Sequence, residues 1–275
     1  MTDGCLAELQ DVSYTYPGAV KPAIKEINLE IRKGEWLAVL GANGSGKSTF
    51  AKHLNALLTP SQGDCFVNGL STGTEEGQRE ARREVAMVFQ NPENQIVAAV
   101  VDEDVAFGPE NMGLPSCEIE KRVKWALGVA GLEDLARRPS YALSGGQKQR
   151  LAVAGAIAMK PPCIVLDEAS SMLDPQGREE LMDLLFKLRD EGLTLVTITH
   201  RLEEVERCDR CAVMENGEIM WTGSPSDLFR QGEDLKKWGL EPPVMVKEWL
   251  LLREKGIVPA GTGPTERELI EALCP

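Results

Sequence analysis

No run of apolar residues in this sequence is long enough to cross a membrane. The longest strictly apolar stretches, such as Ile96–Val101 and Leu151–Ala154, fall far short of the ~20 residues that a helical span needs. Positive charge is also scarce: 30 Lys and Arg stand against 43 Asp and Glu, a formal net charge of −13. That balance argues against a nucleic-acid partner, whose affinity rests on cations neutralising phosphates. It argues equally against direct adsorption to an anionic lipid surface. The start, MTDGCLAELQ, has neither a basic opening nor an apolar stretch, so no signal peptide is expected and the chain reads as cytosolic. Internal repeats, low-complexity tracts and heptads are missing too. Seven cysteines, at positions 5, 65, 117, 163, 208, 211 and 274, make an odd, scattered set that suits reduced thiols better than a disulfide framework. Cys208 and Cys211 form a lone CxxC, but the second ligand pair of a structural zinc site is lacking. They are expected to be plain thiols near the start of a strand.

What is present describes an α/β protein. At 43% hydrophobic over 275 residues, the chain can bury the core of one large domain with a small appendage. Ile24, Ile27, Leu29 and Ile31 alternate with polar residues ahead of the turn Lys33-Gly34, which predicts an early antiparallel layer. Trp36–Leu40, Val85–Phe89, Cys163–Leu166 and Leu195–Ile198 are short continuous apolar runs, the mark of strands buried on both faces. Between them, Leu181, Leu184, Leu185 and Leu188 follow the spacing of an amphipathic helix over Gln176–Glu191. Alternation of buried strands with such helices indicates a largely parallel sheet. Composition changes near Gly232, so residues 5–231 read as the main domain and 232–275 as a C-terminal helical appendage. Its helices are expected at Val244–Arg253 and Glu266–Leu273, on either side of Ala260–Pro264. Val244, Trp249, Leu250 and Leu252 are too apolar for a free tail; they suit a subunit contact, or else a cover for the chain's own core.

The chemistry starts at GANGSGKS, in which Gly41, Gly46, Lys47 and Ser48 fill every constrained position of GxxxxGK(S/T). It follows the strand Trp36–Leu40 and precedes a helix expected over Lys47–Leu58, the setting that a phosphate loop requires. Glycines let backbone N–H groups curl around a β-phosphate, and the helix N-terminus adds positive potential. Lys47 is then placed for the β- and γ-phosphates and the Ser48 hydroxyl for Mg²⁺. The strand at Cys163 ends in Asp167, a carboxylate for the Mg²⁺ shell, and Glu168 follows as a candidate to orient the attacking water. LSGGQ at Leu143–Gln147 precedes a small-residue helix expected over Gln147–Met159. Ser144 is a plausible N-cap there, and the two glycines leave donors open as a second anion site.

In this order the motifs resemble those of the ATP-binding cassette (ABC) transporter ATPases over roughly residues 5–230. The resemblance implies a P-loop NTPase core with an antiparallel β layer and a helical signature subdomain. It implies ATP contacts from Tyr16, Gly41, Asn43, Gly44, Ser45, Gly46, Lys47, Ser48 and Thr49, and signature contacts from Ser144, Gly145, Gly146 and Gln147. Tyr16 stands where the family stacks an aromatic on adenine, although Tyr14 could substitute and core packing is open to either ring. Ser48, Gln90 and Asp167 become the Mg²⁺ set, Glu168 the general base, and His200 the γ-phosphate switch. Gln90 also couples the site to the transporter, and Ser171–Asp174 forms a further loop of the family. Two such subunits resemble a head-to-tail sandwich in which each phosphate loop faces the partner's signature.

Four segments narrow the resemblance to the energy-coupling factor (ECF) importers of vitamins and transition metals. They are QNPENQ at Gln90–Gln95, DVAFG at Asp104–Gly108, VAGAIA at Val153–Ala158 and EASSMLDP at Glu168–Pro175. GEDL at Gly232–Leu235 and WGLEPP at Trp238–Pro243 add to it. Ala169 stands where many cassettes carry proline, and Ser170 where this group more often has threonine. The resemblance implies a second ABC ATPase subunit, a membrane scaffold (T component) bearing arginine on its cytosolic helices, and a substrate-binding membrane S component. It also implies a peripheral place on the cytoplasmic face of the membrane, held by protein. Glu93, Asp102, Glu103, Asp104 and Glu110, set among Ile96–Val101 and Phe107, suit a docking groove with an apolar floor and an acidic rim. The alternatives are the ATPase of a conventional ABC importer and a non-transport ABC ATPase. One uninterrupted acidic cassette disfavours the latter.

Overall fold

The computed structural model describes residues 4–259, 263–264 and 266–273. Cys274 and part of the expected Ala260–Pro264 separator lie outside the described residues. The strands β1 (Cys5–Tyr14), β2 (Ile24–Arg32) and β3 (Trp36–Leu40) lead into helix α1 (Lys47–Leu54). Next come β4 (Gln62–Val67), β5 (Leu70–Ser71), α2 (Glu75–Glu84) and β6 (Val85–Val88). A helical stretch holds α3 (Val101–Asn111), α4 (Ser116–Val129) and α5 (Gly145–Ala158). It is followed by β7 (Cys163–Asp167), α6 (Pro175–Asp190), β8 (Thr194–Thr199), β9 (Arg210–Glu215) and β10 (Glu218–Gly223). The chain closes with α7 (Pro225–Arg230), α8 (Glu233–Lys237), α9 (Val244–Glu254) and α10 (Glu266–Leu273).

Two sheets result. One is antiparallel, ordered β2-β1-β4-β5, and the other runs β10-β9-β3-β8-β7-β6. In the second, β9, β3, β8, β7 and β6 are parallel and β10 joins as an antiparallel edge. Residue parity divides its side chains between two cores. Leu37, Val39, Val165, Val196 and Ile198 face the antiparallel sheet, and Phe50, Ala51 and Leu54 of α1 fill the space between the layers. Trp36, Ala38, Leu40, Ile164 and Leu166 face the other way, against α5 and α6. This two-sided burial is why the strand sequences run apolar without a break. All four predicted buried strands are found, and the early antiparallel layer is present.

Some boundaries differ for local reasons. The phosphate-loop helix stops at Leu54 instead of Leu58, because the chain turns left-handed at Ala56 (φ 53). The signature helix starts two residues early, at Gly145, since Ser144 and Gln147 form a reciprocal capping box that satisfies two otherwise free amides. In the appendage, Val246 and Trp249 are 2% exposed and belong to the core that includes α5 and α6. Leu250 and Leu252 pack partly against the same core, whereas Val244 is 70% exposed. Burial keeps the thiols of the CxxC in their neutral form: Cys211 is pushed up to about 12 and Cys208 well above its ordinary value. Such thiols are poor nucleophiles and poor metal ligands.

The expected acidic rim needs a correction. Asp104 is buried, and its Oδ1 accepts the backbone N–H groups of Val97 at 2.7 Å and Ala98 at 2.9 Å. It therefore fastens the loop before α3 and presents no charge to a partner. Replacing it by Ala is expected to cost about 2 kcal/mol, the scale of hydrogen bonds to a charged group. Thermal unfolding would register this as a lower Tm, with Asp104→Asn losing less because one acceptor oxygen remains.

Candidate nucleotide site

The phosphate loop leaves β3 under tight packing. A β-carbon on Gly41 (φ 151) would run into the Met214 carbonyl and the Ser45 hydroxyl, and one on Gly46 (φ 103) would lie 2.5 Å from the Ala23 carbonyl oxygen. These two glycines are demanded by space as well as by conformation. Ser45 is buried beneath the loop, while its N–H bonds the Ala42 carbonyl at 3.1 Å and its carbonyl accepts from Gly217 at 3.0 Å. Lys47, 5% exposed, donates from Nζ to the carbonyls of Gly41 at 2.8 Å and Ala42 at 2.9 Å. Burial lowers the Lys47 ammonium below its ordinary value, and the nearby Glu168 and Asp167 carboxylates oppose that shift.

Around this loop the predicted residues converge. The Ser48 hydroxyl donates to Asp167 Oδ1 at 2.9 Å. Burial raises the Asp167 carboxyl above the usual range, and the bond from Ser48 works against it. Glu168 sits at φ 48, with its N–H on the Ile198 carbonyl at 3.0 Å. A left-handed conformation at a non-glycine residue costs energy and turns the side chain away from the strand direction. Its carboxylate accepts from Gln90 Nε2 at 3.1 Å and lies 3.7 Å from His200 Nδ1. Gln90 Nε2 also reaches Ser171 Oγ at 3.5 Å.

A cleft of about 460 Å³ opens here, with Tyr16, Ala23, Asn43, Gly44, Gly46, Lys47, Ser48, Thr49, Gln90 and Glu168 on its walls. The Tyr16 hydroxyl is 3.2 Å from Thr49 Oγ1. Tyr14 packs edge-on against Tyr16 at 5.0 Å and against buried His53 at 5.2 Å, so the aromatic that lines the cleft is Tyr16 and its support is Tyr14. Gly41 and Ser45 hold the loop from below and His200 stands beside Glu168, outside the lining.

Ser144, Gly145, Gly146 and Gln147 line a different cleft, of about 440 Å³, with Arg150, Met172, Asp174 and Glu180 among its walls. The Ser144 N–H donates to Gln147 Oε1 at 2.9 Å, and Ser144 Oγ accepts from the Gln147 N–H at 3.3 Å. None of the residues lining this cleft lines the other. An ion pair that no local sequence pattern marks lies outside both clefts: Lys148, next to the signature, reaches Glu93 of the glutamine loop at 2.5 Å. Ala23 was likewise missed, since nothing in its residue type marks a site wall. Among the described residues, no group of three or more His, Cys, Asp or Glu side chains is arranged to hold a metal by itself.

The chain matches the ABC transporter family model over residues 24–171. It is 48% identical over 269 residues to the energy-coupling factor transporter ATP-binding protein EcfA1 of Caldanaerobacter subterraneus subsp. tengcongensis, covering 96% of this chain and 97% of that protein. The protein of the same name from Symbiobacterium thermophilum is 49% identical over 273 residues, covering 96% and 95%. Among solved structures, cbiO1 from Clostridium perfringens, part of the ABC transporter complex cbiONQ, superposes with a TM-score of 0.77 at 38% identity, covering 86% of this chain and 94% of that one. A dimeric ATP-binding cassette in a post-hydrolysis state, bound to ADP and Pi, gives 0.72 at 31% identity, covering 80% and 99%. The phosphate loop, the paired acids and the separate signature cleft thus sit on a shared fold, and the chain belongs to the ABC transporter family, among its energy-coupling factor ATP-binding proteins.

Proposed function

We propose that this chain hydrolyses ATP to power an ECF-type importer, as one half of a two-ATPase sandwich held at the cytoplasmic face of a membrane by protein partners. The observation that carries the sandwich is the separation of the Lys47 cleft from the Ser144 cleft. Two anion-binding helix starts that share no wall within one chain need a second cassette to close on one phosphate. Likeness to ECF ATP-binding proteins along nearly the full chain, appendage included, favours this reading over a conventional importer.

Each residue then has a distinct task. Lys47 exchanges its two loop carbonyls for β- and γ-phosphate oxygens, and the amides of Asn43–Thr49 wrap the same phosphates. The Ser48 hydroxyl, the Asp167 carboxylate and Gln90 supply the hard oxygen donors that suit Mg²⁺, which would neutralise phosphate charge. Glu168 orients the attacking water and accepts its proton, with Gln90 and His200 fixing its carboxylate. His200 also steadies the γ-phosphate, and Tyr16 stacks on adenine. Ser144, Gly145, Gly146 and Gln147 serve the partner's nucleotide.

For the scaffold we assign the groove between α3 and α4, about 510 Å³ in volume, whose rim carries Asp102, Glu103, Glu110, Glu120 and Glu133 beside Lys124 and Arg137, with Asp102 already paired to Arg137 at 2.8 Å. Its floor is Ala106, Ile119, Val123, Leu127 and Ala136, which replaces the expected floor of Ile96–Val101 and Phe107. Arginine-bearing helices of a T component complement that rim, and an S component would bring the substrate. The exposed face of the appendage, at Val244, contacts the second ATPase.

Three measurements separate these roles. Glu168→Gln should retain ATP binding and lose hydrolysis by roughly 10²- to 10⁴-fold, the range that a general base contributes. Lys47→Ala should instead weaken ATP binding about 10- to 100-fold, as expected for lost charge-assisted hydrogen bonds; equal loss of binding in both variants would refute the division of labour. Ser144→Arg should abolish hydrolysis while a single chain still binds ATP at its own phosphate loop, and full hydrolysis in that variant would refute the sandwich. Glu103→Lys with Glu110→Lys should reduce co-purification with the scaffold at low salt and flatten its salt dependence, since rim charges set encounter and register. Unchanged assembly at low and high salt would remove this groove from docking.

A further inference from the structure

The appendage reaches the nucleotide site itself. Helix α8 ends in a turn with Gly239 at φ 69: the Gly239 N–H bonds the Lys236 carbonyl at 3.1 Å, and the Leu240 N–H bonds the Leu235 carbonyl at 2.9 Å. This paired pattern is the glycine stop of a helix. The turn is anchored from behind, because Leu235 and Leu240 are 0% and 2% exposed and Trp238 packs near Trp221 with ring centroids 6.5 Å apart. Its front meets the phosphate loop: a β-carbon on Gly239 would lie 3.0 Å from Ala42 Cβ and 3.9 Å from Ala42 Cα. Two residues on, Glu241 forms a single parallel β-bridge with Arg201, the neighbour of His200. Glu241 is itself tied to α9 by Lys247 at 2.6 Å.

We propose that the turn Trp238–Glu241 is a built part of the ATP site, buttressing the phosphate loop at Ala42 and the His200 segment at Arg201, with Gly239 as the positioning residue. The mechanics follow from Ala42. Its carbonyl accepts the Ser45 N–H at 3.1 Å, besides Lys47 Nζ at 2.9 Å, so a displaced Ala42 shifts Ser45, one of the loop residues whose amides wrap the phosphates. The turn has little room to retreat, since its two leucines are locked in the core. Crowding at Gly239 is therefore passed forward into the loop. This buttress rests on the assignment of the Lys47 cleft to ATP.

The test uses the full chain and reads ATP affinity by equilibrium dialysis beside thermal unfolding. Gly239→Ala should lower ATP affinity by roughly tenfold, the scale of left-handed strain at one residue, together with some loss of Tm. Adding Ala42→Gly, which removes the methyl group on the facing loop, should restore most of the affinity while the loss of Tm from the altered helix stop remains. A purely structural glycine would leave affinity unmoved, or would lose it without rescue by Ala42→Gly; either result overturns the buttress. If Gly239→Ala does not fold, Gly239→Asn tolerates the left-handed turn, keeps the crowding β-carbon and is read by the same two outcomes. Failure of the unsubstituted chain to bind ATP would instead sink the assignment of the cleft, which is a separate result.

Discussion

The parallel register of β3, β8 and β7 is the constraint from which the chemistry follows. Leu40 lies opposite Thr199, and Ile198 opposite Asp167. The phosphate loop begins one residue after Leu40, His200 one residue after Thr199, and Glu168 one residue after Asp167. Three loops far apart in sequence therefore open along one edge of the sheet, at the carboxyl ends of its strands, where ligands of open α/β sheets are bound. On the far side of β7, Val88 lies opposite Leu166, which delivers Gln90 to the same edge. A register slip of one residue would turn core side chains to the wrong face, so burial on both faces is what keeps these loop starts in line.

The same edge concentrates opposed electrostatic demands. Burial disfavours the charged form of both Lys47 and Asp167, and each charge offsets part of the other's penalty. The Glu168 carboxylate adds to this, favouring the charged form of Lys47. The carbonyls of Gly41 and Ala42 satisfy the same ammonium within the loop. The left-handed backbone at Glu168 has a related logic: it brings the carboxylate within reach of Gln90 and His200, and the hydrogen bond to Ile198 helps hold a conformation that an isolated residue would avoid.

Legibility in the sequence followed physical cause. Strands buried on both faces read clearly, because a short unbroken apolar run between turn residues is what two-sided burial demands. The phosphate loop was legible because its glycines answer to space and backbone conformation, both encoded by residue type at fixed spacing. β1 escaped notice because its period is broken: its pairing with β2 shifts between Leu9 and Val12, and Asp11 turns to φ 49. Asp104 was misread for a different reason. An acid that caps two backbone amides and one that faces solvent are the same letter, and only the path of the loop before α3 tells them apart. The Gly239 contact with Ala42 was invisible in principle, since it joins positions almost 200 residues apart through shape alone.

The appendage shows how one short helix can satisfy two demands. On α9, Val246 and Trp249 lie three residues apart and face the core at 2% exposure each. Val244 and Leu251, seven residues apart and so nearly in line along the helix, are 70% and 50% exposed. These pairs point to opposite sides, because 3.6 residues per turn sets positions 244 and 246 more than a right angle apart around the axis. The inward side makes the appendage part of its own cassette, and the turn before α9 brings that cassette's phosphate loop into contact with it. The outward side is a stripe of Val244 and Leu251 with the exposed Lys247 and Glu248 between them, left uncovered by the other described residues. Covering that stripe with a second subunit requires no change on the inward side, so packing on its own core and contact with a partner are compatible roles for the same helix.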